Sequence, residues 1–349
     1  MVLTALAPGC RSADRRSLEE LPRFGLEPEL TIDRFVPDLG PIRWVGVASD
    51  GTIAVSQVND HLIRLLDASG QDLGSVGGAG GGEGRGRAGP PIQGGAGWIG
   101  DTLWVGDVTL GRIALYRKGL ELSRTLPPLP GARPRAGEEG RYPGFLSVWP
   151  VTVLPGDTLL VLADQSVGGP PGGPLSRGKH LLRVSARGEI LRPLVQVSEG
   201  AVRERGAGDT GPLLPLARSS ELPLFHVGPA GDRIAVVNTD REAAESGTWW
   251  LRVVDAYGQV LLDRHYGFRE APVPTGVVVA ADHGIWIGLR EPSGEPSWVA
   301  FTPGGDPVGR VSLPRESRLL AVHKDQLWAT GVDRAGAPEV VRCRLVPPG

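Results

Sequence analysis

The segment Asp50-Gly51-Thr52-Ile53-Ala54-Val55 is a polar turn followed by a short apolar strand, and similar segments occur five more times along the chain. A turn of Asp and Gly before a run of apolar residues is typical of a hairpin that leads into a buried strand. The first strand residue of each copy serves as a marker, and the spacings between markers are 50, 56, 75, 51 and 42 residues. The six markers are Ile53, Leu103, Leu159, Ile234, Ile285 and Leu327. Recurrence at this interval predicts a repeat architecture.

A second strand pattern follows the marker in several copies. It alternates apolar and polar residues and ends in a turn with glycine, as in residues 62–70, 181–188 and 251–258. Another strand-like segment comes next, for example residues 259–263. Four antiparallel strands in a unit of this size form the blade of a β-propeller. The sequence therefore predicts an all-β fold, a six-bladed β-propeller with four antiparallel strands in each blade.

The two ends of the chain predict how the ring closes. The sixth unit reaches Pro347-Pro348-Gly349 after its third strand, so one outer strand is missing. Residues 29–36 have strand character and precede the first blade. An N-terminal strand that completes the last blade would close the ring and remove two exposed strand edges. Trp104, Trp286 and Trp328 occupy the same place in their repeats, which favours packing between blades.

The composition agrees with many short elements. The chain has 349 residues, including 52 Gly and 32 Pro, and 40% are hydrophobic. Gly and Pro at about twice their average usage are unfavourable for long helices, while the apolar content argues against disorder. The 37 basic and 39 acidic residues nearly balance. This balance argues against a nucleic-acid partner.

Residues 1–28 are predicted to be a signal remnant with a lipobox and a tether, and residues 29–349 the propeller. The start, Met-Val-Leu-Thr-Ala-Leu-Ala-Pro-Gly-Cys, is a short apolar run that ends in Gly9-Cys10 before a polar segment. It resembles the end of a bacterial lipoprotein signal, and the resemblance implies that Cys10 is lipidated. Cys343 is interpreted as a strand residue. The predicted blades are approximately 42–90, 91–135, 145–200, 222–272, 273–313 and 317–346 with 29–36.

The repeat unit resembles the six-bladed propellers of the NHL and related bacterial envelope families. The likeness covers roughly residues 29–346 and is carried by the turn-plus-strand segment and the strand that ends in Asp-x-x-Gly. Blade 1 continues into a Gly-rich link at residues 77–84, similar to the link of lipoprotein-type members. The resemblance implies an exported protein of the bacterial cell envelope, in the periplasm or at the outer membrane as a lipoprotein.

Polar residues end or follow the second strand of several blades. In a propeller these strand ends point to one face, around the mouth of the central channel. Oxygen-bearing side chains there could bind a divalent cation such as calcium or hydrogen-bond a ligand, and they could equally cap strand ends. Of the six histidines, only His61 and His226 are expected near the mouth. The candidate ligand or metal residues are Gln57, Asn59, Asp107, Asp164, Asn238 and Arg290.

Two functions and a third possibility, a degenerate propeller with a purely structural role, stay open at this point. The first is a binding or scaffold module for a protein, peptide or glycan of the envelope. We expect that module to be a monomer, without a cofactor, and attached to the membrane only through a lipid anchor. The second is a metal-dependent hydrolase or lyase resembling propeller lactonases of the gluconolactonase type. That family holds a metal with Glu, Asn and Asp from different blades, and no matching Glu is found in the first blade here. No catalytic residue is assigned.

Overall fold

The computed structural model is an all-β ring with a single short 3-10 helix among the residues described. None of the helical residues in that part of the chain forms a segment long and apolar enough to cross a membrane. The structure describes residues 17–32, 42–48, 50–57, 62–77, 96–107, 112–117, 120–126, 129, 131–137, 148–154, 156, 158–164, 179–197, 224–238, 248–290, 296–314, 317–332 and 338–348.

Each blade is a sheet of four antiparallel strands, and in blades 1 to 5 the strands follow in sequential order, counted from the inner strand outwards. Blade 1 contains β2 (Ile42–Val47), β3 (Ile53–Gln57), β4 (Leu62–Leu66) and β5 (Asp72–Gly77). Blade 2 contains β6 (Ala96–Ile99), β7 (Thr102–Asp107), β8 (Arg112–Arg117) and β9 (Leu122–Leu126). Blade 3 contains β10 (Val148–Leu154), β11 (Thr158–Asp164), β12 (Lys179–Ser185) and β13 (Ile190–Val197).

The second half of the ring has the same plan. Blade 4 contains β14 (Leu224–Val227), β15 (Arg233–Asn238), β16 (Thr248–Asp255) and β17 (Val260–Gly267). Blade 5 contains β18 (Val273–Val279), β19 (Ile285–Arg290), β20 (Pro296–Phe301) and β21 (Pro307–Val311). Blade 6 contains β22 (Arg318–His323), β23 (Gln326–Val332) and β24 (Pro338–Val346), and its fourth strand is β1 (Gly25–Ile32). The six-bladed propeller predicted from the repeats is confirmed.

The ring is closed by the N-terminal strand, as predicted. Strand β1 lies antiparallel to β24, with Thr31 opposite Val341 and Ile32 opposite Val340. Residues 33–36 of the predicted closing segment lie outside the described residues. Ion pairs add to the closure, since Arg344 contacts Glu27, and Arg342 Nε lies 3.3 Å from a Glu29 oxygen. One chain therefore joins its first and last strands in a single sheet.

The hydrophobic core is divided among the interfaces between neighbouring blades. Six clusters of buried side chains are found in the described residues, one at each of the six blade junctions. Trp104 packs between blades 2 and 3, Trp286 between blades 5 and 6, and Trp328 between blades 6 and 1. Burying a side chain of this size contributes about 2–3 kcal/mol. The repeated tryptophans therefore hold neighbouring blades together, as their shared position predicts.

The packed part of the chain begins before the predicted domain boundary at residue 29. Leu18 and Leu21 are buried in the cluster between blades 4 and 5. The Glu270 carboxylate accepts hydrogen bonds from the Ser17 hydroxyl and from the Leu18 N–H. These contacts attach the segment before β1 to the propeller.

The same segment continues along the outer edge of blade 5. The Phe24 N–H donates to the carbonyl oxygen of Arg310 at 2.9 Å, and the Arg310 N–H donates to the carbonyl oxygen of Pro22 at 2.8 Å. Gly309 makes this close approach possible, because a Cβ at that position would lie only 2.2 Å from the Phe24 ring. Residues 17–24 therefore cover the edge of β21 before β1 enters blade 6.

Candidate functional site

The central channel has two ends, formed by different connections. At one end lie the hairpin turns between the first and second strands of each blade, and we call this end the turn mouth. At the other end the second strands finish, and we call it the loop mouth. The predicted site residues Gln57, Asp107, Asp164, Asn238 and Arg290 are the last residues of β3, β7, β11, β15 and β19. The fold therefore brings these five backbone positions to the loop mouth.

The side chains of these residues differ in what the structure describes. Asn238 is half-buried and lies opposite Trp250 of β16, and Arg290 is exposed and lies opposite Pro296. Only the backbone of Gln57, Asp107 and Asp164 is described. Asn59, His61 and the predicted lipidation residue Cys10 lie outside the described residues. No group of three or more His, Cys, Asp or Glu that could hold a metal ion is found in the described ranges. Cation binding at this mouth stays a prediction.

The inner strand of each blade faces the channel with one edge, because it is the first strand of its sheet. Some of the polar groups near this edge form hydrogen bonds between neighbouring blades. The Trp98 Nε1–H donates to the carbonyl oxygen of Gly46 at 3.3 Å, from blade 2 to blade 1. The Ala281 N–H donates to the carbonyl oxygen of Val322, also at 3.3 Å, from blade 5 to blade 6. The inner wall is therefore held together partly by hydrogen bonds across blade boundaries.

The side chain of His226 forms a hydrogen bond of this kind, between blades 4 and 5. It lies on β14, the inner strand of blade 4, and its Nδ1 accepts a 3.1 Å hydrogen bond from the Val279 N–H of β18. Burial is the main cause that lowers the pKa of His226 to about 4, and the positive charge of Arg318 is the second cause. The imidazole is therefore neutral at pH 7. Since Nδ1 is the acceptor, the proton is on Nε2.

Arg318 is the first residue of β22, the inner strand of blade 6. Its side chain remains in contact with water, yet the surrounding protein lowers the pKa of its guanidinium by desolvation. An arginine still carries its charge at pH 7 after such a shift. Across the part of the chain that the structure describes, no carboxylate forms an ion pair with Arg318. The channel wall therefore contains a positive charge without a paired negative one in that part.

The sequence analysis expected His226 near the mouth where the second strands end, but it lies one residue before the end of β14, next to the hairpin turn at the turn mouth. The sequence analysis did not select Arg318. Two patterns explain the difference. The histidine lies in a short apolar strand, where a single polar residue stands out. Arg318 begins a similar strand, but the chain is so rich in arginine that one more gives no signal. Its place at the start of an inner strand could have identified it only once the blades were aligned.

The turn mouth is acidic, with aspartates in five described hairpin turns. The Asp50 carboxylate accepts from the Thr52 N–H at 3.1 Å, and the Asp282 carboxylate accepts from the Gly284 N–H at 2.9 Å. Asp232 lies 3.6 Å from His283 Nε2 of the neighbouring blade. Local hydrogen bonding of this type is the usual role of Asp in tight turns. The five residues are Asp50, Asp101, Asp232, Asp282 and Asp325.

The fold is shared with solved bacterial proteins at very low sequence identity. A member of the DUF4221 family from Bacteroides vulgatus has a TM-score of 0.53 at 11% identity, covering 94% of this chain and 100% of that one. A protein from Bacteroides fragilis, described as a candidate exported protein, has a TM-score of 0.50 at 9% identity, covering 95% and 97%. The PQQ-bound aldose sugar dehydrogenase of Streptomyces coelicolor reaches only 0.45 at 13% identity, covering 92% and 98%. At these identities the comparisons show the propeller fold alone.

Comparison of the sequence with known proteins gives no further likeness. No family model matches the chain, and no curated protein matches it. The class defined by the fold is therefore the six-bladed β-propeller. The NHL-like and lipoprotein types remain predictions from the repeat pattern.

Proposed function

We propose that this protein is an exported, lipid-anchored binding or scaffold module of the bacterial cell envelope. Its ligand would be a protein, peptide or glycan bound at the loop mouth of the propeller. The observation that carries the proposal is the attachment of the N-terminal segment. Residues 17–24 lie against blades 4 and 5 and along the outer edge of β21. An anchor upstream of Ser17 would then hold the propeller by its periphery and leave the channel accessible.

The length of the intervening chain supports a position close to a membrane. The seven residue-to-residue steps from Cys10 to Ser17 span at most about 25 Å when fully extended. A propeller attached in this way could not move far from the lipid surface. The weak likeness to a candidate exported protein agrees with this location. A single lipid chain gives only reversible binding, so the full lipoprotein modification would be needed.

Replacing Cys10 tests the anchor. In bacterial cells that process lipoproteins, we expect the native chain in the membrane fraction, with a mass increased by the lipid. Cys10→Ser should appear in the soluble fraction without that mass. Cys343→Ala is the matched control, because Cys343 is a buried residue of β24 and should not affect the location. Equal membrane recovery of native protein and Cys10→Ser would remove the lipid anchor from the proposal.

Capture of envelope material tests the binding function. The purified chain is immobilised and incubated with defined peptidoglycan fragments and with a library of envelope peptides. We expect specific retention by the native chain. The loss of retention after substitutions at the loop mouth would support that face as the binding surface. Retention that is unchanged by all of these substitutions would contradict it.

A metal-dependent hydrolase or lyase is a second candidate, supported by the convergence of Asp107, Asp164 and Asn238 at one mouth. Carboxylate and amide oxygens are suitable calcium ligands. Metal analysis of the purified protein, with melts in calcium and in EDTA, distinguishes the two candidates. A stoichiometric ion, together with turnover of an ester or lactone that Asp107→Ala abolishes, would favour the enzyme. A protein without an ion whose melting temperature ignores calcium would favour the binding module.

A further inference from the structure

We propose that the outer edge of the propeller at blades 3 and 4 rests on an anionic lipid surface. The contact surface, which we call the outer corner, consists of residues 131–137 and 185–192 at the outer edge of blade 3 and residues 255–261 of blade 4. The inference rests on the proposed function, because it concerns an anchored propeller, and it adds a second membrane contact to the lipid anchor.

The apolar part of the outer corner is the hairpin between β16 and β17. Among the described residues, five large hydrophobic side chains are strongly exposed, and three of them lie in this hairpin. They are Tyr257, Val260 and Leu261, with exposed fractions of 60%, 50% and 43%. Exposed apolar side chains that are gathered on an outer edge strand favour association with another apolar phase. The hairpin is therefore a contact surface rather than an ordinary part of the exterior.

The basic part of the outer corner lies on blade 3, next to that hairpin. Four exposed arginines occur there, and none of them forms an ion pair with a described residue. The Arg133 N–H donates to the carbonyl oxygen of Gly188 at 2.9 Å, so the two blade 3 segments are adjacent. Arg192 reaches blade 4, because a Cβ at Gly258 would lie 3.4 Å from its Nε. The four arginines are Arg133, Arg135, Arg187 and Arg192.

The carboxylates of the outer corner form hydrogen bonds within the protein. Asp255 accepts from the N–H groups of Tyr257 and Gln259, both at 2.8 Å. Glu189 accepts from the Ser185 hydroxyl at 3.5 Å. The three ranges thus contain four positive and two negative charges, which gives a net charge of +2. The outer corner is complementary to a negatively charged partner.

Arg183 of β12 joins the basic and the apolar parts. Its Nη1 donates to the carbonyl oxygen of Ala256 at 3.3 Å, and its guanidinium carbon lies 4.5 Å from the centre of the Tyr257 ring. The tyrosine is therefore held against blade 3 while most of its ring stays exposed. Tyrosine is favoured at the boundary between lipid headgroups and acyl chains, because one end of its ring is apolar and the other polar.

This combination fits an anionic lipid surface better than an acidic peptide. Guanidinium groups bind headgroup phosphates, while apolar side chains enter the boundary below the headgroups. The stems of the arginines can cover apolar surface at the same time. An acidic peptide would pair with the arginines through its carboxylates, and those carboxylates would not cover Tyr257, Val260 and Leu261.

The outer corner and the anchored segment lie at opposite ends of one outer strand. Strand β17 runs from the outer corner to Gly267, and Glu270, just beyond its end, binds the Ser17 hydroxyl and the Leu18 N–H. A strand of this length spans about 23 Å, and the chain from Cys10 to Ser17 reaches at most about 25 Å. A lipid surface along β17 can therefore contact the outer corner and hold the anchor together. It would cover neither mouth of the channel, because β17 is the outermost strand of blade 4.

Vesicle flotation tests the lipid contact. The full chain with Cys10→Ser is used, so that no lipid anchor contributes. Vesicles of phosphatidylcholine alone are compared with vesicles that contain about one third phosphatidylglycerol. We expect at least tenfold stronger binding to the anionic vesicles, and a loss of binding as the salt concentration rises.

Matched variants assign the contact to the outer corner. Arg192→Gln and Leu261→Ser should each weaken binding about fivefold. Arg117→Gln on blade 2 and Leu73→Ser on blade 1 remove the same groups from exposed positions elsewhere and should leave binding unchanged. No binding to the anionic vesicles, or an equal loss in the control variants, would overturn the proposal.

Two further outcomes separate this contact from its alternatives. If polyglutamate is bound through Arg192 and anionic vesicles are not, the partner is an acidic polypeptide and the lipid assignment is wrong. The anchor is tested independently by the mass of the native chain and by membrane recovery after a high-salt wash, which releases the outer corner but not a lipid anchor. A lipidated native chain whose Cys10→Ser variant binds no vesicles would refute the outer corner alone.

Discussion

The two ends of the channel use charged residues in opposite ways. At the turn mouth, Asp50 and Asp282 bind backbone N–H groups two residues ahead, so their carboxylates are part of the hairpins. Toward the loop mouth, Arg318 begins an inner strand and has no ion pair with a described residue. The acidic end is explained by turn chemistry, while the basic group is not explained by the local structure. A ring of like charges whose members bind the backbone of their own turns is thus weak evidence for a ligand site.

His226 connects the channel to stability, because its Nδ1 accepts a hydrogen bond from the backbone of the neighbouring blade. Its folded pKa is about 4, below the ordinary value of 6.5. As the pH falls from about 6.5 to about 4, the unfolded chain binds a proton that the folded chain does not bind. The free energy of unfolding should therefore fall in this window, by about 3 kcal/mol in total. Denaturant unfolding at several pH values measures the loss.

His226→Asn is the control for that experiment. The Asn Oδ1 can accept from the Val279 N–H in place of Nδ1, but the side chain does not titrate. The variant should remain within about 1 kcal/mol of the native chain at pH 7. Acidic groups such as Asp67 and Glu270, whose pKa values are lowered by hydrogen bonds, remain in both proteins. Identical pH profiles for the two proteins would contradict the role given to His226.

The turn mouth predicts a smaller effect. Asp282→Ala removes the acceptor for the Gly284 N–H, next to His283 with a φ of 68°. We expect a loss of about 1 kcal/mol in the free energy of unfolding. Asp282→Asn retains the acceptor and removes the charge, so it should be nearly as stable as the native chain. If Asn were as destabilising as Ala, the charge of the acidic end would have a role beyond the turn.

The blades were predictable because their signal is local and repeated. All six marker residues, from Ile53 to Leu327, lie in the second strand of a blade and are at most 1% exposed. A buried strand after a tight turn produces this pattern in every copy. The repeat therefore stays recognisable even where one copy departs from the pattern. Ring closure was predictable for a related reason, since a missing last strand requires a strand from elsewhere.

The attachment of residues 17–24 was not predicted, although a signal is present. Leu18, Leu21 and Phe24 recur at intervals of three, and each packs on the propeller. The polar residues between them led to the interpretation as a tether. The hydrogen bond of His226 is a different case. It joins the side chain of His226 to the backbone N–H of Val279 in another blade. Every residue except proline has such an N–H, so the sequence does not indicate which one is the partner.

Arg318→Gln is the substitution with the smallest expected effect on stability. Arg318 is exposed and has no ion pair with a described residue, so its replacement breaks no attractive pair in that part of the chain. The free energy of unfolding should therefore change by less than about 0.5 kcal/mol, or rise slightly. Denaturant unfolding of the purified chain provides the measurement. A loss of more than about 2 kcal/mol would mean that Arg318 is paired within the protein, like the aspartates of the turn mouth. A neutral result would separate Arg318 from the aspartates of the turn mouth, whose carboxylates are part of the hairpins.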